Sequence, residues 1–275
     1  LFCRRLRAAA HPIVSGGFRF SGAMVLGSID RFMMHVLRLS RALALFAVMT
    51  ALTSSPALAG GKSVIELFTS QGCSSCPPAD ALLGKLVQER NLIPLTLAVD
   101  YWDYLGWKDT LALHDHTKRQ RNYAKVRGDM NVYTPQAIVN GVKYMVGSDA
   151  REINAALRNH PSSDPEIPLT LKRDGENISV EVGPGNGKAT VWMLAVTSKV
   201  DVQIAKGENK GATVSYSNVV RAWRNLGAWS GTPLKTSIPI SELKAKGADA
   251  VVVMVQNGAE NSPGAIRNAE IIALR

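Results

Sequence analysis

Cysteine is scarce in this chain, with three in 275 residues. Small secreted scaffolds held by bridges carry many more, so the fold must rest on a core of packed side chains. A four-ligand zinc site would need a second cysteine pair or paired histidines at suitable spacing, and neither is present. Also missing is a Lys/Arg stripe interleaved with aromatics, which make up only 6% of the chain. The basic segment HDHTKRQR, 114–121, is a mixed cluster of the kind that forms a solvated helix face, so nucleic-acid binding is disfavoured. No internal repeat and no long low-complexity tract occurs. The glycines of AKGENKGATVSYSNVVRAWRNLG, 205–227, match no phosphate-binding spacing and read as turn chemistry with a packed Trp223.

What is present begins with a leader. In RFMMHVLRLSRALALFAVMTALTSSPALA, 31–59, Arg31, Arg38 and Arg41 precede an apolar core from Ala42 to Leu52, and Ala57 and Ala59 frame a cleavage position. This is the pattern of a secretory signal peptide, with cleavage expected after Ala59 and a periplasmic or secreted product. The apolar core is too short to span a bilayer comfortably, so no membrane span is expected after cleavage. Met24, Met33 or Met34 would give a leader of more ordinary length, which suggests that residues 1–23 are untranslated. Without the seven arginines and one aspartate of residues 1–59, the formal net charge falls from +10 to +4.

The rest of the chain changes texture once. From residue 60 to 160 apolar strands alternate with helical patterns: SVIELFT, ADALLGKLVQER, LIPLTLAVD, TLALHDHTKRQRNYAKVRG, PQAIVNGVKYMVG and DAREINAALRNH. This order predicts an α/β domain, a mixed sheet flanked by helices. Residues 161–168, PSSDPEIP, read as a linker. Residues 169–275 carry short β-branched or alternating runs bounded by Gly, Asp and Asn, which predict a small β-rich, sandwich-like domain.

Within the first domain the segment TSQGCSSCPPAD, 69–80, places Cys73 and Cys76 directly after an apolar strand. A bridge between residues three apart closes a very short loop and restrains the unfolded chain little, which favours redox chemistry over a purely stabilising role. Pro77 and Pro78 fit only the first turn of a helix, where no backbone donor is lost. A cysteine at that helix start faces unpaired N–H groups and the positive end of the dipole, which favour the thiolate. Cys73 is thus the expected nucleophile and Cys76 the resolving thiol, one helical turn on. Ser74 and Ser75 offer hydroxyl donors to the thiolate or are simply small residues in a tight turn. The aromatic run DYWDYLGW, 100–107, follows a strand at the end where open α/β sheets place ligands; Trp102, Tyr104 and Trp107 are candidates for a substrate groove or for core caps.

The strand, the C-x-x-C pair, the helix opening on it and the later segment VYTPQAIVNG, 132–141, resemble a thioredoxin fold over residues 63–160. More narrowly, GCSSCPPAD, DYWDYLGWKD and YTPQAIVNG are similar to the secreted thioredoxin-like family of domain of unknown function 1223, a name that supplies no activity. The thioredoxin likeness implies that Pro135 is cis and faces the cysteines, that Thr134 offers its backbone to substrate, and that Asn140-Gly141 turns the chain into the next strand. It also implies that Glu66, near the place of a buried acid, accepts a proton from Cys76; the alternatives are a pairing with a surface lysine or a wet strand end.

The function expected is an extracytoplasmic thiol–disulfide oxidoreductase that needs no cofactor and acts on thiol- or disulfide-bearing client proteins. Two alternatives stay open: a copper-binding or metallochaperone-type module, and a non-catalytic secreted protein with a fixed disulfide. His114 and His116, at i and i+2, point in different directions on a helix, so no metal ligands are assigned.

Overall fold

The run VIELF is buried throughout because its strand, β1 (Ser63–Thr69), lies inside a sheet with helices on both faces. The structure, a computed structural model, describes residues 62–160 and 167–275. The leader, its cleavage position after Ala59, residues 1–23 and most of the linker lie outside the described residues. β1 pairs in parallel with β2 (Leu92–Ala98) and antiparallel with β3 (Gln136–Val139), which turns into β4 (Lys143–Val146). The expected Asn-Gly turn forms, with Asn140 and Gly141 at φ 51° and 73°. A side chain at Gly141 would put its Cβ 2.3 Å from the Gly264 carbonyl oxygen, so the position needs glycine for space as well as conformation.

Helix α1 (Pro77–Leu86) starts with prolines at its first two positions, as the sequence predicts. Helix α2 (His114–Arg127) is shorter than its sequence pattern, because Leu113 is extended (φ −123°) and Gly128 ends it at φ 82°. Helix α3 (Ala150–Asn159) is capped by Asp149, whose side chain accepts from the N–H groups of Arg151 and Glu152 at 2.9 and 3.0 Å. Alternation along β1 assigns the faces: Ile65 and Leu67 pack with Ala79 and Leu83 of α1 and Ile153 of α3, whereas Val64 and Phe68 pack with Tyr123 of α2.

The second half continues the same sheet. Strands β7 (Ala189–Gln203), β8 (Thr213–Trp229), β10 (Ala250–Ala259) and β11 (Ser262–Ala273) extend it to eight strands in the order β11-β10-β7-β8-β2-β1-β3-β4. The stretch read from sequence as turn chemistry is therefore mostly β8, whose regularity is broken by Asn218 (φ 48°) and by register shifts against β7. The junction between the halves is narrow. β2 meets β8 through the single pair Thr96–Val219, since Pro94 has no N–H to extend a ladder. Side chains supplement it: the Thr96 hydroxyl donates to the Ser217 carbonyl at 2.7 Å and the Asn218 amide to the Pro94 carbonyl at 2.9 Å.

The remaining strands, β5 (Leu169–Asp174), β6 (Asn177–Val182) and β9 (Leu234–Pro239), form a separate three-stranded sheet, with helix α4 (Ile240–Ala245) following β9. This sheet covers one face of β7 and β10, packing Ile178, Val180 and Ile238 against Val191, Met193, Val251 and Val253. The opposite face of the same strands buries Trp192, Leu194, Val252 and Met254 with the core under α2. Burial on both faces is why VWMLAV and AVVVMV read as unbroken apolar runs. Each such side chain contributes about 1.5–3 kcal/mol on burial. At the end of the linker Ile167 is fully buried and its carbonyl accepts from Asn268 at 2.7 Å, so the chain is already anchored before β5.

Candidate functional site

Cys73 and Cys76 form a disulfide, with Cα atoms 5.4 Å apart. The pair sits between the end of β1 and the start of α1. The residue at the helix boundary is Cys76, with helical angles (φ −79°, ψ −36°), while Cys73 lies in the preceding turn, where its N–H donates to the Ser70 carbonyl at 3.1 Å. Pro77 and Pro78 supply no donors, and the next two N–H groups, of Ala79 and Asp80, both go to the Cys76 carbonyl at 2.9 and 3.1 Å. The expected cradle of free helix N–H groups for Cys73 is therefore not built. The polar group beside its sulfur is the Ser75 hydroxyl, 3.4 Å from Sγ and 3.5 Å from the Thr134 carbonyl. Ser74 instead turns its N–H to the Glu208 carboxylate at 3.2 Å. Cys73 is 2% exposed and Cys76 fully buried.

Three segments close on this turn. From the first, Thr134 carries a cis bond to buried Pro135, and its hydroxyl accepts from the Trp102 indole at 2.8 Å. Trp102, from the aromatic loop, packs on Gly72, where an added Cβ would lie 3.0 Å from the Trp102 Cβ. Tyr104 stacks on Trp102, with rings 15° from parallel, and is 78% exposed. Trp102, Tyr104 and Thr134 thus form one continuous edge beside the cysteines. Trp107 does not join them: its indole donates to the Gln71 side chain at 2.8 Å and its ring packs in a satellite core with Ile204, Val214 and Tyr216.

The second segment is the same loop's end, where the buried Asp109 carboxylate accepts from the Gln71 N–H at 2.7 Å. The third is the connection between β7 and β8. Its Asn209 side chain donates to the carbonyls of Gln71 and Cys73 at 3.0 and 2.9 Å, while Glu208 holds Ser74. The second half of the chain thus straps the cysteine turn directly. Gln71, Asp109, Glu208 and Asn209 were not singled out in the sequence, although Gln71 lies within TSQGCSSCPPAD, Asp109 within DYWDYLGWKD, and Glu208 and Asn209 within the glycine-bearing stretch 205–227. Asp80 was also missed. It is 2% exposed, on α1 one turn after Cys76, and neither carboxylate oxygen has a hydrogen-bond partner of normal geometry. Burial pushes its pKa up to about 7; the nearby Thr69 hydroxyl offsets this in part and the Asp109 charge adds to it.

Glu66 is buried, but on the other face of the sheet. As an even-numbered residue of β1 it points with Val64 and Phe68 toward α2, away from α1 and the cysteines, which corrects the role expected for it. Its carboxylate accepts from Arg119 at 2.5 and 3.1 Å and from the Tyr123 hydroxyl at 2.6 Å, and Gln256 of β10 completes the cluster by accepting from Arg119 at 3.0 Å and donating to Tyr123 at 2.8 Å. The two histidines of α2 also part company. His114 is exposed and meets Asp100 at 2.8 Å, whereas His116 is fully buried with Nδ1 2.9 Å from the Ala98 carbonyl, and burial lowers its pKa to about 4. Among the described residues no cluster of three or more His, Cys, Asp or Glu side chains could hold a metal ion, and no helix is long and apolar enough to cross a membrane.

Comparison with known proteins places this arrangement in a family. The profile described as protein of unknown function (DUF1223) matches residues 64–256, and the chain belongs to that family. The match runs from β1 into β10, so the cysteine turn and the strap both lie within it. A crystal structure of a protein from Agrobacterium tumefaciens, solved in a structural genomics effort, is 36% identical with a TM-score of 0.69, over 78% of this chain and 96% of that one. HBP35 of Porphyromonas gingivalis is 12% identical with a TM-score of 0.49, over 78% of this chain and 75% of that one. No curated protein matches the chain.

Proposed function

We propose that the protein is an extracytoplasmic thiol–disulfide oxidoreductase of thioredoxin-like architecture, exported by the leader pattern of residues 31–59. The observation that carries this reading is the paired Cys73–Cys76 at a strand-to-helix turn, with the aromatic edge of Trp102 and Tyr104 and the Thr134–Pro135 segment joined to it by hydrogen bonds. Such an edge suits an extended client segment carrying a thiol or disulfide. A client thiolate reaches Cys73 Sγ first, because Cys76 is the more deeply buried, and Cys76 resolves the mixed disulfide.

Trapping tests the division of roles. With Cys76→Ser, mixed disulfides with client proteins should accumulate in periplasmic extract; with Cys73→Ser they should not. Equal adduct yields from the two variants would remove the assignment.

A second reading, a fixed disulfide, is favoured by one specific observation: the strap from β7–β8 clamps the turn at Gln71, Cys73 and Ser74, leaving little sulfur surface. Under that reading the bridge in the folded protein resists dithiol reagents.

A further inference from the structure

A cavity of about 170 Å³ lies between α2 and strands β7 and β8, on the sheet face opposite the cysteine helix. Trp192 and Trp223 wall it, with ring centroids 6.2 Å apart and planes 80° apart. Trp223 is fixed from two further sides: the His116 ring stands edge-on to it at 6.4 Å, and the Arg119 guanidinium carbon lies 4.5 Å from its centroid. A cavity of roughly 150 Å³ lined by apolar side chains accepts benzene, so this one admits a single ring and is too small for a nucleotide or an oligosaccharide.

Two charged groups at the cavity are left without partners, and they have opposite signs. Arg119 lines it while being only 8% exposed. Its Nε and Nη2 are taken up by Glu66, Tyr123 and Gln256. Nη1 makes no hydrogen bond among the described residues, yet it is not sealed from solvent as the Arg127 Nη1 is. The ion pair with Glu66 already holds the guanidinium in place, so a ligand that accepts from Nη1 does not have to order it. The second group is Glu260, exposed in the turn between β10 and β11. Asn122 of α2 fixes that turn by donating to the Glu260 carbonyl at 2.9 Å, while the Glu260 carboxylate has no hydrogen bond or ion pair among the described residues. The remaining charges at the rim engage each other, with Lys118 3.5 Å from Asp115.

We propose that this cavity is a binding site for a free aromatic amino acid, taken up as its zwitterion. The ring lies against the two indoles, where its burial and edge-to-face contacts are favourable. The carboxylate accepts from Arg119 Nη1, and the ammonium donates to the Glu260 carboxylate, each a charge-assisted hydrogen bond. Neither charge alone suits the site. A lone anion gains from Arg119 but meets Glu260 and Asp115 at the rim, and Glu66 already offsets the arginine. A lone cation gains from Glu260 but meets Arg119 and Lys118. The site is separate from the cysteine turn and stands independently of the oxidoreductase reading.

The test titrates the protein, with its disulfide intact, with L-phenylalanine, with 3-phenylpropanoate, which lacks the ammonium, and with phenethylamine, which lacks the carboxylate. Binding is read by calorimetry and by tryptophan fluorescence. Phenylalanine should bind at one equivalent, at least about tenfold more tightly than either analogue. Replacing Arg119 would leave Glu66 buried and unpaired, so the variant of choice is Glu260→Gln, at an exposed turn. Glu260→Gln should lose the margin of phenylalanine over 3-phenylpropanoate while binding 3-phenylpropanoate at least as well as the wild type does. Absence of saturable phenylalanine binding up to about 10 mM would overturn the proposal. So would equal wild-type affinities for phenylalanine and 3-phenylpropanoate, or a Glu260→Gln variant that keeps the full margin.

Discussion

At the scale of single residues, the carboxyl of Asp80 governs a pH dependence that can be measured without any client. Its pKa is about 7 in the folded protein against 3.8 for the ordinary group. Between those values the folded chain keeps a proton that the unfolded chain has lost, so stability falls as pH rises from about 4 through 7 and is level beyond. The loss is bounded at about 4 kcal/mol. His116 works the other way, since its pKa of about 4 makes stability fall as pH drops below its ordinary 6.5, but it is common to wild type and variant and cancels. Urea denaturation at pH 5 and pH 8 should therefore show Asp80→Asn gaining on wild type at the higher pH; a gap independent of pH would mean that the carboxyl is not held in its neutral form. The residue scale is also where the sequence was least informative. Cys73, Cys76, Thr134, Trp102 and Tyr104 were legible because each sits in a short motif with its own chemistry. Asp80 and Asn209 were not, because a carboxylate in an amphipathic helix and an amide in a polar loop read as solvated until the packing above them is known.

At the scale of elements, the cluster of Glu66, Arg119, Tyr123 and Gln256 ties β1, α2 and β10 together under the apolar core. Removing one partner of a buried ion pair leaves the other charge uncompensated, so Glu66→Gln should destabilise by about 3–5 kcal/mol. Disulfide exchange by the folded fraction should be unchanged, because Glu66 faces away from the cysteines. Denaturant midpoints paired with per-molecule exchange rates check this, and a slowed exchange at unchanged stability would return Glu66 to the site. The strand and helix order of residues 63–160 followed from periodicity alone. Which face each residue of β1 would take did not, since a strand buried on both sides has no polar alternation to orient it. The length of β8 was hidden for a related reason: Asn218 and Gly227 adopt positive φ and interrupt the pattern from which a strand is recognised.

At the scale of the whole molecule, the change of texture at residues 161–168 is real in composition, yet the sheet runs across it, joined at Thr96–Val219. The β7–β8 strap reaches the cysteine turn from the far side of that join, and the core beneath α2 mixes Phe68 and Leu95 with Leu194 and Met254. A fragment ending at residue 160 would expose this shared core and the free edge of β2. Expressed alone it should fail to unfold cooperatively, whereas the chain from residue 60 should unfold in a single transition by circular dichroism; a fragment with its own sharp transition would show that the first half is autonomous.

The central claim, that Cys73 and Cys76 are an exchangeable pair and not a fixed bridge, is tested most directly by redox titration of the folded chain from residue 60 in dithiothreitol buffers, with the thiols counted by alkylation. The account predicts a reversible two-electron transition, tenfold in equilibrium constant per about 30 mV, completed while the native circular dichroism is retained. A bridge that stays closed until the protein unfolds would contradict it.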